Sequence, residues 1–283
     1  MRKKPLIFFG ICIVVALTAA CALVSLEEDG LGVYPTQLSP LDITTLQQRN
    51  QEYQEFNDNR LCSTLNEFGF TGFSRVLFPN DVNPCLTREV VRVELTQNDT
   101  LVSYAKQVLL DNQIYTGVFD TTALEVTESI PLFGCTICEG PDINNVIIEW
   151  KVSFAPQNID TLALEGTDIS VLIDAEGANR ILGNWYPDFF NPERPNVDFI
   201  QARTSLIGFN VEFEEDDVQF QFEVADEDLS VEEEVSLRTI MREGNLEFRR
   251  GWIVRIAHPQ REGAGWEAFV DVIDGQLLSM EAF

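Results

Sequence analysis

The chain has 283 residues, 45% of them hydrophobic, enough for a real core and against intrinsic disorder; its length is that of about two domains. Lys and Arg number 19 against 46 Asp and Glu, and three of the basic residues (Arg2, Lys3, Lys4) open the chain, so the rest carries 16 basic groups and a net charge of −30. Such a field repels phosphate backbones and anionic bilayer surfaces, which excludes nucleic acid as a partner; it reads as a solubility device in a salt-screened setting, or as a surface for a basic or metal partner.

Residues 1–4 (MRKK) are positive, residues 5–20 are apolar and uncharged, and Thr18-Ala19-Ala20 precede Cys21. A basic start, an apolar run short of the roughly 20 residues that span a bilayer, and small residues before a cut describe a secretory signal over 1–20. The small residues before Cys21 resemble the lipobox of bacterial lipoproteins, although Leu17 stands one step further from the Cys than that pattern places its Leu. The resemblance implies cleavage, a lipid on Cys21, and an extracytoplasmic, membrane-anchored protein of the cell envelope. An ordinary signal cut near Ala20 or Ala22, and an uncleaved anchor running through Val24, are the alternatives. Residues 21–38 then read as a tether.

Ser39-Pro40-Leu41-Asp42 signals a helix start with Ser39 as the cap, and Ile43, Leu46, Tyr53 and Phe56 follow at helical spacing, which predicts a helix over 40–57. Residues 57–88 are rich in Asn, Gly and Pro and hold Cys62 and Cys85, so 39–88 is expected to be a helical, stapled N-terminal segment. Of the six cysteines, Cys12 lies in the leader and Cys21 is the lipidation candidate; Cys62, Cys85, Cys135 and Cys138 remain, with three ways to pair. Local closure favours Cys62–Cys85, worth roughly 3 kcal/mol on the chain-entropy model, and Cys135–Cys138. Cys135-Thr136-Ile137-Cys138 sits between Gly134 and Gly140-Pro141 and reads as a loop; a structural disulfide, a zinc site with Cys62 and Cys85, and redox chemistry are its three readings.

Further along, Glu89–Leu95 reads as a strand. Asn98-Asp99-Thr100 can cap a helix with the apolar face Leu101, Tyr104, Ala105, Val108 and Leu109, and β-rich stretches and turns fill 114–133. Val146–Phe154 alternates apolar and polar residues, the pattern of a strand wet on one face. Asp168–Ile173 is a second strand, followed by a turn at Asp174-Ala175-Glu176-Gly177 and a return at Arg180–Leu182. Residues 185–195 contain three prolines and read as a linker. Asp198 can cap a helix to Ile207; Phe209–Phe213 and Val218–Val224 flank an acidic turn; residues 226–237 read as a short acidic helix or loop; Trp252–Ala257, Trp266–Asp271 and Gln276–Met280 close the chain as strands.

The two halves look alike. Trp150-Lys-Val-Ser-Phe-Ala-Pro-Gln157 echoes Trp252-Ile-Val-Arg-Ile-Ala-His-Pro-Gln260, each followed by a strand that ends in Asp (Asp174, Asp271) and a Gly turn, and each preceded by an amphipathic helix. The helices are offset by 97 residues, Ala105 to Ala202, and the Trp strands by 102, the mark of a duplication. A capped helix, a strand around Trp, then Ala268-Phe-Val-Asp271 and Gly275-Gln-Leu-Leu resemble PepSY-like domains. That resemblance implies an α+β fold: two repeats of a helix packed on an antiparallel β-sheet, at 89–190 and 196–283, preceded by the N-terminal helix and the disulfide-stapled segment. It also implies a non-enzymatic role, since such domains occur in propeptides of exported metallopeptidases, where they are associated with inhibition.

The chemistry-bearing residues agree. His258 is the one histidine and reads as a solvated loop residue; no G-x-S-x-G, P-loop or H-E-x-x-H is present. Asp174 and Asp271 stand where an Asp bonds backbone amides two residues on, a turn role. The expectation is a chain that is not an enzyme and takes no cofactor or metal: a lipoprotein held at the membrane by its N-terminal lipid, binding or regulating an exported protein partner. An envelope structural or assembly role, and a thiol-disulfide or metal-dependent role for Cys135 and Cys138, are the alternatives.

Overall fold

A computed structural model describes residues 33–73, 98–137, 144–215 and 218–283. The leader, the lipidation candidate Cys21, the strand expected at Glu89–Leu95, and Cys85 and Cys138 lie outside those residues. Val33–Phe283 forms one compact unit of α+β architecture, with many strands and few helices.

The body begins with a short strand, β1 (Thr36–Leu38), and the helix α1 (Ile43–Phe56). The helix is capped by Asp42, whose carboxylate accepts from the Thr44 and Thr45 amides, and not by Ser39, whose hydroxyl donates to Asn245 Oδ1. Asp42 wins because it sits next to the first helical residue and can reach both orphan amides. After residues 57–73, irregular apart from a Leu65–Thr71 bridge, come α2 (Asn98–Asp111) and the single turn α3 (Gln113–Thr116). Asn98, read as part of a cap, is the first residue of α2 itself.

Four antiparallel strands form the first sheet. β2 (Val126–Ile137) pairs with β3 (Asn144–Phe154). The chain then makes the small pair β4 (Asn158–Ile159) and β5 (Leu162–Glu165) before β6 (Asp168–Asp174) and β7 (Gly177–Asn184) complete the order β2-β3-β6-β7. Val152, Phe154, Ile169, Val171, Ile173 and Ile181 face Leu101, Ala105 and Leu109 of α2, and Leu46 and Tyr53 of α1 add a further layer. Alternation along β3 produced this face: Val152 is buried and its neighbour Lys151 is at the surface, paired with Glu128.

The second half starts at α4 (Phe199–Thr204), closed by the reciprocal Asp198–Gln201 capping box, and the hairpin β8 (Asn210–Glu215) and β9 (Val218–Glu223). β10 (Val235–Arg242), β11 (Asn245–Ala257), β12 (Gly265–Asp271) and β13 (Leu277–Ala282) follow as an antiparallel meander. Phe199, Ala202 and Leu206 pack on Trp252, Val254, Ile256, Ala268 and Val270. The cross-strand pairs of the two sheets correspond: Trp150, Val152 and Phe154 oppose Ile173, Val171 and Ile169; Trp252, Val254 and Ile256 oppose Val270, Ala268 and Trp266.

Three features depart from the sequence reading. Of residues 226–237, expected as a short acidic helix or loop, 226–228 form a 3-10 turn and 235–237 open β10, which runs on to Arg242, and β11 starts seven residues before Trp252. Leu164 and Glu165 of β5 pair in parallel with Leu237 and Arg238 of β10, so the second sheet runs β13-β12-β11-β10-β5-β4, with β1 against β11. Residues 185–195 are irregular, as the prolines dictate, yet packed: Trp185 and Tyr186 are buried, and the Phe189 ring stacks on Phe248 at 4.3 Å.

Candidate functional site

A dense polar constellation lies where β12 ends. Asp271 is fully buried. Its Oδ1 accepts from the amides of Ile273 (2.7 Å) and Asp274 (3.2 Å), the turn role expected of it. Its Oδ2 accepts from the Tyr34 hydroxyl and from Arg249 Nη1, both at 2.8 Å. Arg249 grips Glu247 with Nε and Nη2 at 2.8 and 2.7 Å, and Gln37 Nε2 donates to Glu247 Oε1 at 2.8 Å. Alternation on β11 sets this up: Glu247 and Arg249 project from the face opposite Phe248 and Trp252, and Tyr34 closes over them with its ring 5.6 Å from the guanidinium.

The electrostatics follow from burial among opposite charges. Burial pushes the Tyr34 phenol above its usual range, and the Asp271 charge and hydrogen bond push it further. Burial works to discharge Arg249, but the hydrogen bonds to Glu247 and Asp271 outweigh it and hold the guanidinium even more firmly charged. A carboxylate has about four lone-pair directions. Those of Asp271 are all taken by protein donors, so it keeps no free acceptor for a substrate or a metal.

The matching turn of the first sheet repeats the device with other partners. Asp174 Oδ1 accepts from the Glu176 amide (2.9 Å) and Arg60 Nη2 (3.0 Å), and Oδ2 accepts from Asn179 Nδ2 (3.2 Å). Arg180 in turn forks onto Glu149 at 2.7 and 2.9 Å. On the second sheet Arg238 spans three strands: it ion-pairs with Glu165 of β5 at 2.7 Å and Glu267 of β12 at 2.5 Å, and its guanidinium lies 5.0 Å from the buried Phe269 ring. Arg255 pairs with Glu234 at 2.6 Å. These arginines were not picked out from the sequence. With 46 acids in the chain, an Arg among β residues, such as Arg238 or Arg249, is a signal that a carboxylate faces it, although Arg250 on β11 donates instead to Pro192 O.

His258, expected to be solvated, is half-buried: its ring stacks on Trp266 at 5.3 Å and meets Phe213 at 5.0 Å, and its Nδ1 accepts from the Gln260 amide. Aromatic surface from the β8–β9 hairpin covers it, which the sequence reading of a loop overlooked. Cys135, read as part of a loop, lies in β2 opposite Asn145; Cys62 is buried, and its amide donates to Asn179 O along β7. Among the described residues no group of three His, Cys, Asp or Glu is arranged to hold a metal ion, and no helix is long and apolar enough to cross a membrane.

No family model and no curated protein sequence matches the chain. Among solved structures it is similar to the Bacillus megaterium YpeB C-terminal domain, at 12% sequence identity and a TM-score of 0.26, over 70% of this chain and 69% of that one.

Proposed function

We propose that the chain is an exported lipoprotein, anchored through Cys21, that works as a non-enzymatic binding or regulatory module for an exported protein partner. The observation that carries this reading is the internal saturation of the Asp271 carboxylate: it serves Tyr34, Arg249 and a turn, and leaves no acceptor facing solvent. Asp174 is engaged in the same way. What such a molecule can offer a partner is surface and main-chain pairing rather than reactive groups.

The leader, with small residues before Cys21, supports export and lipidation. The corresponding registers of β3–β6 and β11–β12 support reading 89–190 and 196–283 as two PepSY-like repeats, and an exported peptidase is the partner class that reading favours. Cys62–Cys85 and Cys135–Cys138 are the pairings we propose for the cysteines.

Mass spectrometry of the protein isolated from membranes tests the reading. The expected species starts at Cys21, carries acyl chains and holds two disulfides. A cytosolic species that keeps Met1 and carries free thiols overturns it. Crosslinking in intact cells should join it to an exported peptidase in fixed ratio; a stoichiometric complex with envelope scaffold proteins instead would overturn the peptidase assignment.

A further inference from the structure

Open sheets end in edges, and most edges here are blunted. β2 carries Pro131 in mid-strand and three shifts of register. β7 is covered by residues 62–72: the Cys62 amide donates to Asn179 O (2.7 Å), the Ile181 amide to Ser63 Oγ (3.1 Å) and the Gly183 amide to Gly72 O (3.2 Å). β4 is two residues long and β1 three. The β8–β9 hairpin carries acids, Glu212 and Glu223. Proline, bulges, shortness, charge and cover are the usual protections of an edge.

β13 is different. Among the described residues it pairs with β12 alone. Past a bulge at its start, Ser279–Ala282 runs in regular register without Pro or Lys, and the flanking Phe283 is exposed. Gly265 and Phe283 exchange both backbone hydrogen bonds. In an antiparallel ladder this alternates, so Glu281 and Ser279 turn their main chain toward β12, while Met280 and Ala282 turn theirs outward. The side chains alternate as well. Met280 leans on the second core, and Glu281 stands exposed on the other face beside Glu267, with no ion pair among the described residues.

Resting on the reading of the chain as a binding module, we propose that the β13 edge takes an extended partner segment with the alternation apolar, basic, apolar, added as a further strand. The basic residue pairs with Glu281; the apolar ones lie beside Met280 and Ala282. The pattern reads the same in either chain direction. A second copy is the poorer occupant, because two bodies of net charge −30 repel one another while a basic segment is attracted.

The test uses the mature protein and a fluorescein-labelled, capped peptide TVKVTV, with TVEVTV as the control, read by anisotropy and by hydrogen exchange. TVKVTV should bind more tightly than TVEVTV, weaken with salt, and slow exchange at the Met280 and Ala282 amides. Met280→Pro removes an outward N–H without touching the β12 ladder, so the fold should persist while affinity drops about tenfold, the worth of one or two hydrogen bonds. Ala282→Pro, nearer the strand end, serves should Met280→Pro unfold. Glu281→Lys should reverse the preference toward TVEVTV. Equal affinity in the proline variants, no binding to the unaltered protein, or protection at other amides overturns the proposal. Concentration-dependent dimerisation that protects the same two amides without peptide also overturns it, by assigning the edge to a second copy. A lipidated, disulfide-bonded protein that ignores both peptides sinks this edge while leaving the lipoprotein reading intact.

Discussion

Tyr34 and Asp271 are 237 residues apart, yet one hydrogen bond at 2.8 Å joins them where neither meets water freely. Tyr34→Phe removes one of the four donors to a buried carboxylate, and unfolding in urea should show a loss of about 1–3 kcal/mol. The same phenol makes stability fall in alkali. Burial and Asp271 raise its folded value above the unfolded value of about 10, so its contribution is whole below about pH 10 and shrinks as pH rises beyond it. Tyr186, pushed up to about 12 by burial and secondarily by Glu67, acts in the same direction. Urea midpoints measured from about pH 8 upward should drop beyond about pH 10, and less steeply in the Phe variant. Gly251 has no room for a side chain: a Cβ there would lie 2.3 Å from the Phe269 ring, which is itself fully buried under Arg238. Gly251→Ala should destabilise by about 1–3 kcal/mol, read by thermal melting.

Between elements, Arg238 is the tie that joins β5, β10 and β12. Burial acts against its charge, but Glu267 and Glu165 hold the guanidinium above its ordinary value. Arg238→Gln leaves two carboxylates without their shared cation, and a loss of about 2 kcal/mol is expected. In a double-mutant cycle, Arg238→Gln with Glu165→Gln should lose less than the sum of the two changes by about 1 kcal/mol, measured by denaturant unfolding. What sequence periodicity revealed here, and what it did not, divides along these lines. β3 declared itself because Trp150, Val152 and Phe154 alternate with Glu149, Lys151 and Ser153, β6 and β12, buried on both faces, showed as short apolar runs ending in Asp, and Asp198 announced α4 through its cap. β10 was not read as a strand, and its first three residues fell in the 226–237 stretch read as a short acidic helix or loop, because acids crowd its approach and its burial alternates weakly. β5 gains its place from a parallel partner some 70 residues away, a contact that no local pattern encodes. The turn roles of Asp174 and Asp271 could be read from the Gly that follows, but their arginine partners could not, since Arg60 and Arg249 reach them only after folding.

Across the whole molecule, charge sets the response to solvent. With 16 basic residues against 46 acids beyond the leader, repulsion between exposed carboxylates works against the compact state, whereas the Arg249 and Arg238 pairs are sheltered from screening. The melting temperature should therefore rise between about 0.02 M and about 0.5 M NaCl, followed by scanning calorimetry; a flat or falling trend would show that screened attraction dominates instead.

The parallel junction at Leu164 and Leu237 makes the halves of the chain mutually incomplete. Leu164, Tyr186, Leu237, Leu246 and Phe248 bury one another in a core drawn from both sides of residues 187–195. A protease that nicks that stretch would release nothing: the severed pieces stay clasped, since each covers greasy surface the other cannot hide unaided. Neither half is a transplantable cassette, and a genetic split at that point succeeds only when both products are made in the same compartment.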